Sequence, residues 1–372
     1  MRIAVNTRFL LPHKLEGIGR FTFEIVLRMV ENHPEDDFIF FFDRPFDPKY
    51  IFAKNVTPVV LFPPTRHPFL IVSWFEWSVR RALKKYKADV FFSPDGFLSL
   101  NSDVNSVIVT HDLAYKHPFG KVNFTIQQFY KIFTPKYLAK AKRIITVSEF
   151  TKKDILHFFP FSQDKISVVY NSCNEKYQPI SDTEKEAIRL KYADGKPYFV
   201  YVGAVHPRKN VHRLIAAFDL FKQKTSSDFK LLIVGNFAWK TGEALTAYYQ
   251  ATYQKDIQLL GYLPEEALPK VIGAAFAMTY VSLFEGFGLP IVEAMNCEVP
   301  TITSNIASMP EVGGDAVLLV DPHSIEDIAL KMKRLVEEKG LYRNLVENGR
   351  QQKSKFNWTK SSEQVYQILK GI

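Results

Sequence analysis

The stretch "FAMTYVSLFEGFGLPIVEAM", residues 276–295, decides the fold. An apolar run opens it. A tight glycine-bearing segment follows, and then a second apolar stretch with Pro290 at its start. The first run reads as a strand buried on both faces, which is continuous rather than alternating. Gly286 and Gly288 tighten the loop, and Pro290 suits the first turn of a helix, where its missing N–H is not needed. Strand, glycine turn and helix in succession form the repeating unit of a parallel α/β sheet.

Working outward, the pattern recurs on both sides. The first half offers "RIAVNTRF", "DFIFFF", "PVVLF", "DVFFSP", "SVIVTHD", "RIITVS" and "ISVVYN", and the second "YFVYVGA", "KLLIVGN", "IQLLGYL", "FAMTYVS", "PTITSN" and "AVLLVD". Helical patterns such as "NVHRLIAAFDLFKQK" and "SIEDIALKMKRLVEEKG" lie between them. The runs form two sets, separated by a polar, turn-rich stretch without a strand signal, and the linker is placed at about 172–196. Two domains are therefore expected, 1–175 and 176–356, as 372 residues also suggest.

Composition bounds the rest. Hydrophobic residues are 47% and charged residues 23%, a globular balance. The two cysteines, Cys173 and Cys297, form no C-x-x-C, so neither a disulfide framework nor a zinc site is expected, and a reducing, cytoplasmic setting is. "MRIAVNTRFLLP" reads as a first strand rather than a signal peptide, and no apolar stretch reaches the ~20 residues of a membrane helix. The net charge is +9; through residue 175 there are 24 Lys and Arg against 17 Asp and Glu, an excess of 7, leaving 2 for the remainder. A basic first half attracts phosphates, nucleic acid or anionic lipid, and solubility alone accounts for it equally well. No nucleic-acid recognition module is visible, so nucleic acid is not an expected partner.

Ligands of open α/β sheets bind beyond the carboxyl ends of the strands. There the chain places His111-Asp112, the loop "AVHPRKN" with Arg208 and Lys209, and the 276–295 motif. A glycine-started helix N-terminus is an anion site fit for a nucleotide diphosphate. Glu285 and Glu293 would repel phosphates, so they make sense facing hydroxyls, one on a sugar and one on a ribose. Acidic residues near a helix start are equally explained by the helix dipole. Arg208 and Lys209 fit a leaving diphosphate or a solvated loop. Gly17 and Gly19 open a helix after the first strand; Thr22 replaces the last glycine of G-x-G-x-x-G, so this is not a full dinucleotide fingerprint. His111 has no histidine partners at metal spacing.

Together these residues resemble the family-4 retaining glycosyltransferases of GT-B fold. "YVGAVHPRKNVHRLIAAF", "LLGYLPEEALPKVIGAA", "SLFEGFGLPIVEAM" and "SMPEVGGDAVLLVDP" stand in that family's order, as do "GIGRFTFEI", "VTHDLAY", "ITVSEFTKKDI" and "VVYNS" in the first half. The likeness is greatest to the branch making bacterial surface polysaccharides, often mannosyltransferases. It implies two Rossmann-like domains facing each other across a cleft, the first binding acceptor, the second donor, with a last helix at about 357–372 crossing back to the first. By resemblance, Glu293 holds the donor ribose and Glu285 the sugar near its 3-hydroxyl, and the backbone of Gly286, Phe287, Gly288 and Leu289 meets sugar and phosphates. Lys209 binds the diphosphate, His111 lies under the sugar, and Gly19 lies by the phosphates. The family's arginine after the second domain's first strand is here Ala204, with Arg208 as its nearest substitute. Asn171-Ser172 and Glu298 also depart from the pattern.

The implied chemistry is transfer of a hexose, mannose as the leading expectation, from a GDP- or UDP-linked donor. The anomeric configuration is retained, and neither metal nor cofactor takes part. The acceptor is a saccharide or lipid-linked saccharide. "FLIVSWFEWSVRRALKKYK", aromatic and then basic, fits either a membrane-surface helix or a core helix, so peripheral attachment to an anionic membrane is a further expectation. A nucleotide-sugar 2-epimerase of the same fold, a basic nucleic-acid-binding protein and a catalytically inactive relative are the alternatives.

Overall fold

The computed structural model describes residues 1–11, 15, 17–118, 124–236 and 242–372. The chain divides into two compact units, Met1–Asn171 with Asn357–Ile372, and Ser172–Phe356.

The first unit is built on seven parallel strands: β1 (Arg2–Asn6), β2 (Asp37–Phe42), β3 (Val56–Val60), β4 (Val90–Ser93), β5 (Asn105–Thr110), β6 (Arg143–Thr146) and β7 (Ile166–Val168). Their order is β3-β2-β1-β4-β5-β6-β7. Each apolar run quoted above supplies one of them, because strands covered on both faces leave no position for alternation. The core is unusually aromatic: Phe38, Phe40, Phe41, Phe91, Trp74 and Phe75 are fully buried. The segment Pro68–Lys85 is helical throughout, with a π-helical stretch at Trp74–Val79. Trp74, Phe75 and Leu83 face the core, as expected of a core helix, while Phe69 and Trp77 are exposed.

The second unit has six parallel strands: β8 (Tyr198–Val202), β9 (Lys230–Val234), β10 (Ile257–Gly261), β11 (Ala277–Tyr280), β12 (Thr301–Ser304) and β13 (Val317–Val320), ordered β10-β9-β8-β11-β12-β13. The stretch expected to be linker contains a helix, Asp182–Ala193, started by a reciprocal cap in which Ser181 and Glu184 satisfy each other's backbone N–H. The helix Trp358–Lys370 belongs to the first unit, where Ser362 Oγ donates to Ile25 O at 2.8 Å.

Both sheets share one topological feature. The chain runs outward from a central strand, β1 to β3 or β8 to β10, and then returns to that strand's other side as β4 or β11. The strand order thus reverses between β1 and β4, and between β8 and β11. In open α/β sheets, the loops after the strands at such a reversal are where ligands bind.

Candidate active site

At the β8/β11 reversal, two loops leave adjacent strand ends. After β8 comes a short 3-10 turn, Pro207–Lys209, capped by His206, whose Nδ1 accepts from Arg208 N at 3.2 Å. The turn closes on Asn210, which is buried in the left-handed conformation, φ 61°. After β11 comes the segment 281–288, which leads into the helix Leu289–Asn296. Gly288 forms the helix N-cap at φ 102°, and a Cβ there would come 3.2 Å from Ile291 Cδ1. Glycine is therefore required at this position. Among the described residues no side chain caps this helix, and Pro290 sits in its first turn.

The two loops are stitched to each other. Leu283 N donates to Arg208 O at 2.8 Å, Arg208 Nη1 to Phe284 O at 3.2 Å, and Asn210 Nδ2 to Val281 O at 3.0 Å. A second Asn210 bond, to Pro322 O at 2.7 Å, ties in the end of β13. Ser308 Oγ lies 2.9 Å from Glu285 O and 2.8 Å from Phe287 O, turning both carbonyls inward.

Glu285 is the electrostatic centre. It is buried, its Oε1 accepts from Lys209 Nζ at 2.6 Å, and its Oε2 lies 3.6 Å from Arg208 Nη1. Burial pushes its carboxyl pKa up, but Lys209 and Arg208 outweigh that and hold it below the ordinary carboxylate value. Lys209 Nζ also donates to Tyr280 OH at 2.9 Å and stands 5.2 Å from the Tyr280 ring centroid. Burial, with Glu285 nearby, pushes the Tyr280 hydroxyl well above its usual value, so it stays protonated. Burial, Arg208 and Lys209 together push His206 down, which fits its accepting role. Glu293 lies half-buried on the helix that Gly288 starts.

Arg208, Lys209, Glu285, Gly286, Phe287, Gly288, Leu289 and Glu293 are therefore gathered at one reversal. Sequence reasoning missed Tyr280, Asn210 and Ser308. The asparagine was the most accessible of the three, since Asn is among the few residues that favour the left-handed region. The arrangement places two cations and an uncapped helix start beside a carboxylate that both cations neutralise. That suits an anionic ligand carrying hydroxyl groups.

The other predicted residues belong to the first unit. His111 follows β5; its Nε2 stands 2.8 Å from Pro94 O, and Phe21 meets its ring edge-on at 5.2 Å. A carbonyl only accepts, so Nε2 carries the hydrogen. Burial pushes the imidazole pKa below its usual value, so the ring is neutral and Nδ1 is an acceptor. Gly19 is fixed by packing, because a Cβ would meet Phe9 O at 2.5 Å, whereas Gly17 is exposed with open space around it.

Residues 15–176 match the Glycosyltransferase Family 4 domain, and residues 182–352 match Glycosyl transferases group 1. The O-antigen chain mannosyltransferase B of Escherichia coli is 29% identical over 97% of either chain. The O-antigen chain mannosyltransferase RfbU of Salmonella typhimurium is 32% identical over 59% of this chain and 57% of that one. Among solved structures, Anabaena Alr3699/HepE in complex with UDP-glucose superposes with a TM-score of 0.78 at 15% identity, each chain covered completely. The reversal-point site thus sits in the second of two parallel-sheet domains whose sequences and fold are shared with sugar-transferring enzymes, and the chain belongs to the family-4 glycosyltransferases of GT-B fold.

Proposed function

We propose that the protein transfers mannose from a nucleotide diphosphate donor, GDP-linked before UDP-linked, to a saccharide or lipid-linked saccharide in the building of a surface polysaccharide. The observation that carries the transfer chemistry is the Lys209–Glu285–Arg208 constellation at the foot of the helix Leu289–Asn296. The sugar and the pathway rest on the names of the two mannosyltransferase relatives. The nucleotide is open to test, because the Anabaena structure holds UDP-glucose.

In this reading the bond from the anomeric carbon to the diphosphate oxygen breaks, and the acceptor oxygen bonds to the same face of that carbon, retaining its configuration. The acceptor's proton passes to the leaving phosphate oxygen. Negative charge grows on the diphosphate as the bond breaks, and Lys209, Arg208 and the helix start are placed to meet it. Preorganised partners of this kind contribute ~3–4 kcal/mol each. Cations, and among the described residues no cluster of metal-ligating side chains, stand where this reading puts the phosphates, which favours a metal-independent reaction.

The test begins with a thermal-shift screen of GDP, UDP, ADP and dTDP. GDP is expected to give the largest shift. Purified enzyme with GDP-mannose and a mannosyl acceptor is then expected to release GDP, unchanged by EDTA, and to give an α-linked product by NMR. An epimerised donor formed without any acceptor would sink the transfer reading. Transfer lost on chelation and restored by magnesium would sink its metal independence.

A further inference from the structure

We propose that Tyr280 is a positioning residue for the transfer: its hydroxyl ties the Lys209 ammonium to strand β11, so that the cation keeps facing the diphosphate while Glu285 turns to the sugar. The inference rests on the transfer reading above and adds a residue to it.

A strand buried on both faces does not ask for a tyrosine. Tyr280 ends β11 and is 2% exposed. Phenylalanine would fill the same place with no hydroxyl to desolvate, and an unpartnered buried hydroxyl is costly. Here the hydroxyl is met by Lys209, whose Nζ donates to it. Nζ lies 2.9 Å from the hydroxyl oxygen and 5.2 Å from the ring centroid. The ammonium therefore stands off the hydroxyl edge of the ring and not over its face. The link is a hydrogen bond to the oxygen, and the ring itself is secondary.

The two partners of Lys209 differ in what carries them. Glu285, which accepts from Nζ at 2.6 Å, belongs to the segment 281–288, which has no regular secondary structure. Tyr280 belongs to the sheet. It lies opposite Thr303 of β12, and Thr303 Oγ1 donates to Tyr280 O at 2.7 Å. Its ring stacks on Tyr201 of β8, with centroids 6.4 Å apart and planes inclined by 19°, and Tyr201 OH donates to Ala204 O at 3.2 Å. A Cβ built on Gly288 would lie 3.8 Å from Tyr280 Cε1, so the ring also stands beside the turn that starts the helix Leu289–Asn296. Tyr280 is thus fixed against both neighbouring strands and the helix start.

A lysine has a flexible stem and a compact ammonium, so its partners set its place. The ammonium has three N–H donors. Among the described residues Glu285 and Tyr280 take two, and the third is left for a ligand. In the proposed function Glu285 also meets the donor sugar. A carboxylate shared in that way is a variable partner, and a cation held by it alone would follow it. Tyr280 is the constant partner. It keeps Nζ in place while negative charge grows on the diphosphate, at the point where a misplacement of about 1 Å can cost about 10²-fold in rate.

The test is a double-mutant cycle on the whole protein, with GDP-mannose or UDP-glucose as the thermal-shift screen selects, and a mannosyl acceptor. Y280F removes the hydroxyl and keeps the ring. In the parent background it should lower kcat about tenfold and leave the donor KM within about threefold, because the hold matters most in the transition state. In the Lys209→Ala background it should cost less than about twofold. A tyrosine that only fills the sheet would cost the same in both backgrounds. Equal losses therefore overturn the proposal, as does a parental kcat in Y280F. A crystal structure of the parent with the same intact nucleotide sugar reads the geometry without any variant. Nζ is expected within hydrogen-bond distance of both Tyr280 OH and a phosphate oxygen. An ammonium that has left Tyr280 for the diphosphate overturns the proposal. A parent that releases no nucleoside diphosphate from donor and acceptor strikes the transfer reading and the proposal together, whereas equal losses in an active parent strike the proposal alone.

Discussion

Glu285 has two kinds of neighbour, and they make different demands. Its carboxylate neutralises Lys209 and Arg208, and in the proposed function it also meets the sugar. In Glu285→Ala the two cations lose their buried partner, so a nucleoside diphosphate, which supplies replacement charge, is expected to bind at least as tightly as to the parent while turnover falls about 10²-fold or more. Glu293→Ala should do the reverse at the binding step and weaken the free nucleotide, because its proposed partner is the ribose. Calorimetric titration of both variants separates the roles, and equal weakening in both would refute the division. His111 supplies a pH dependence. Its pKa is depressed by burial in the folded protein, so between that value and the unfolded one near 6.5 the unfolded chain binds more protons. Stability contributed there is complete above about pH 6.5 and is lost as pH falls through the folded value. Chemical denaturation between pH 8 and pH 5 should show the parent losing stability more steeply than His111→Asn. Parallel curves would mean the ring is not held neutral by its surroundings.

At the level of elements, the site is two loops locked to each other, and Ser308 is the lock with no charge of its own. Its hydroxyl serves the buried carbonyls of Glu285 and Phe287, and leaving such acceptors unpaired costs about 1–3 kcal/mol. Ser308→Ala should therefore weaken nucleoside diphosphate binding and lower turnover, each by about tenfold, as the loop relaxes. Parent affinity in that variant would show that the Gly288 turn alone sets the loop. The strands were legible in the sequence because burial on both faces writes itself as an unbroken apolar run, and all thirteen stand where such runs occur. The glycines and charged pairs of the site were legible because they follow strands. The helix Asp182–Ala193 was not, since only Ala193 of its residues is buried and its polar surface resembles a linker. Its Ser181–Glu184 cap was the available signal. Tyr280, Asn210 and Ser308 act through partners 71, 112 and 21–23 residues away, so no local pattern marks them. In Pro68–Lys85 a helix was expected, but which aromatics face inward depends on the π-helical turn at Trp74–Val79, and no periodicity of 3.6 encodes that.

For the molecule as a whole, the second unit is an insertion between β7 and the last helix. Its two ends meet, with Ser172 Oγ donating to Phe356 O at 3.1 Å. The helix Trp358–Lys370 then completes the first unit. Trp358, Val365 and Leu369 are buried, Tyr366 OH donates to Asp36 at 2.8 Å, and the same aspartate pairs with the N-terminal ammonium at 2.5 Å. Burying each such apolar side chain contributes about 1.5–3 kcal/mol. Three of them, with the Tyr366 bond, approach the whole stability of an ordinary domain. A chain ending at Phe356 should therefore fail to form a stable first unit, since the removed helix covers Ile25 and Phe21 of Gly17–Asn32. The second unit keeps all of Arg208, Lys209, Glu285 and Glu293, and should still fold and bind nucleoside diphosphate. Scanning calorimetry is the measurement. The parent should show a transition that nucleotide raises and one that it does not. The truncated chain should retain the first and lose the second. Two transitions at parental temperatures in the truncated chain would show that Trp358–Lys370 is an ornament on the first unit rather than part of its core, and loss of the nucleotide-sensitive transition would show that the second unit cannot fold alone.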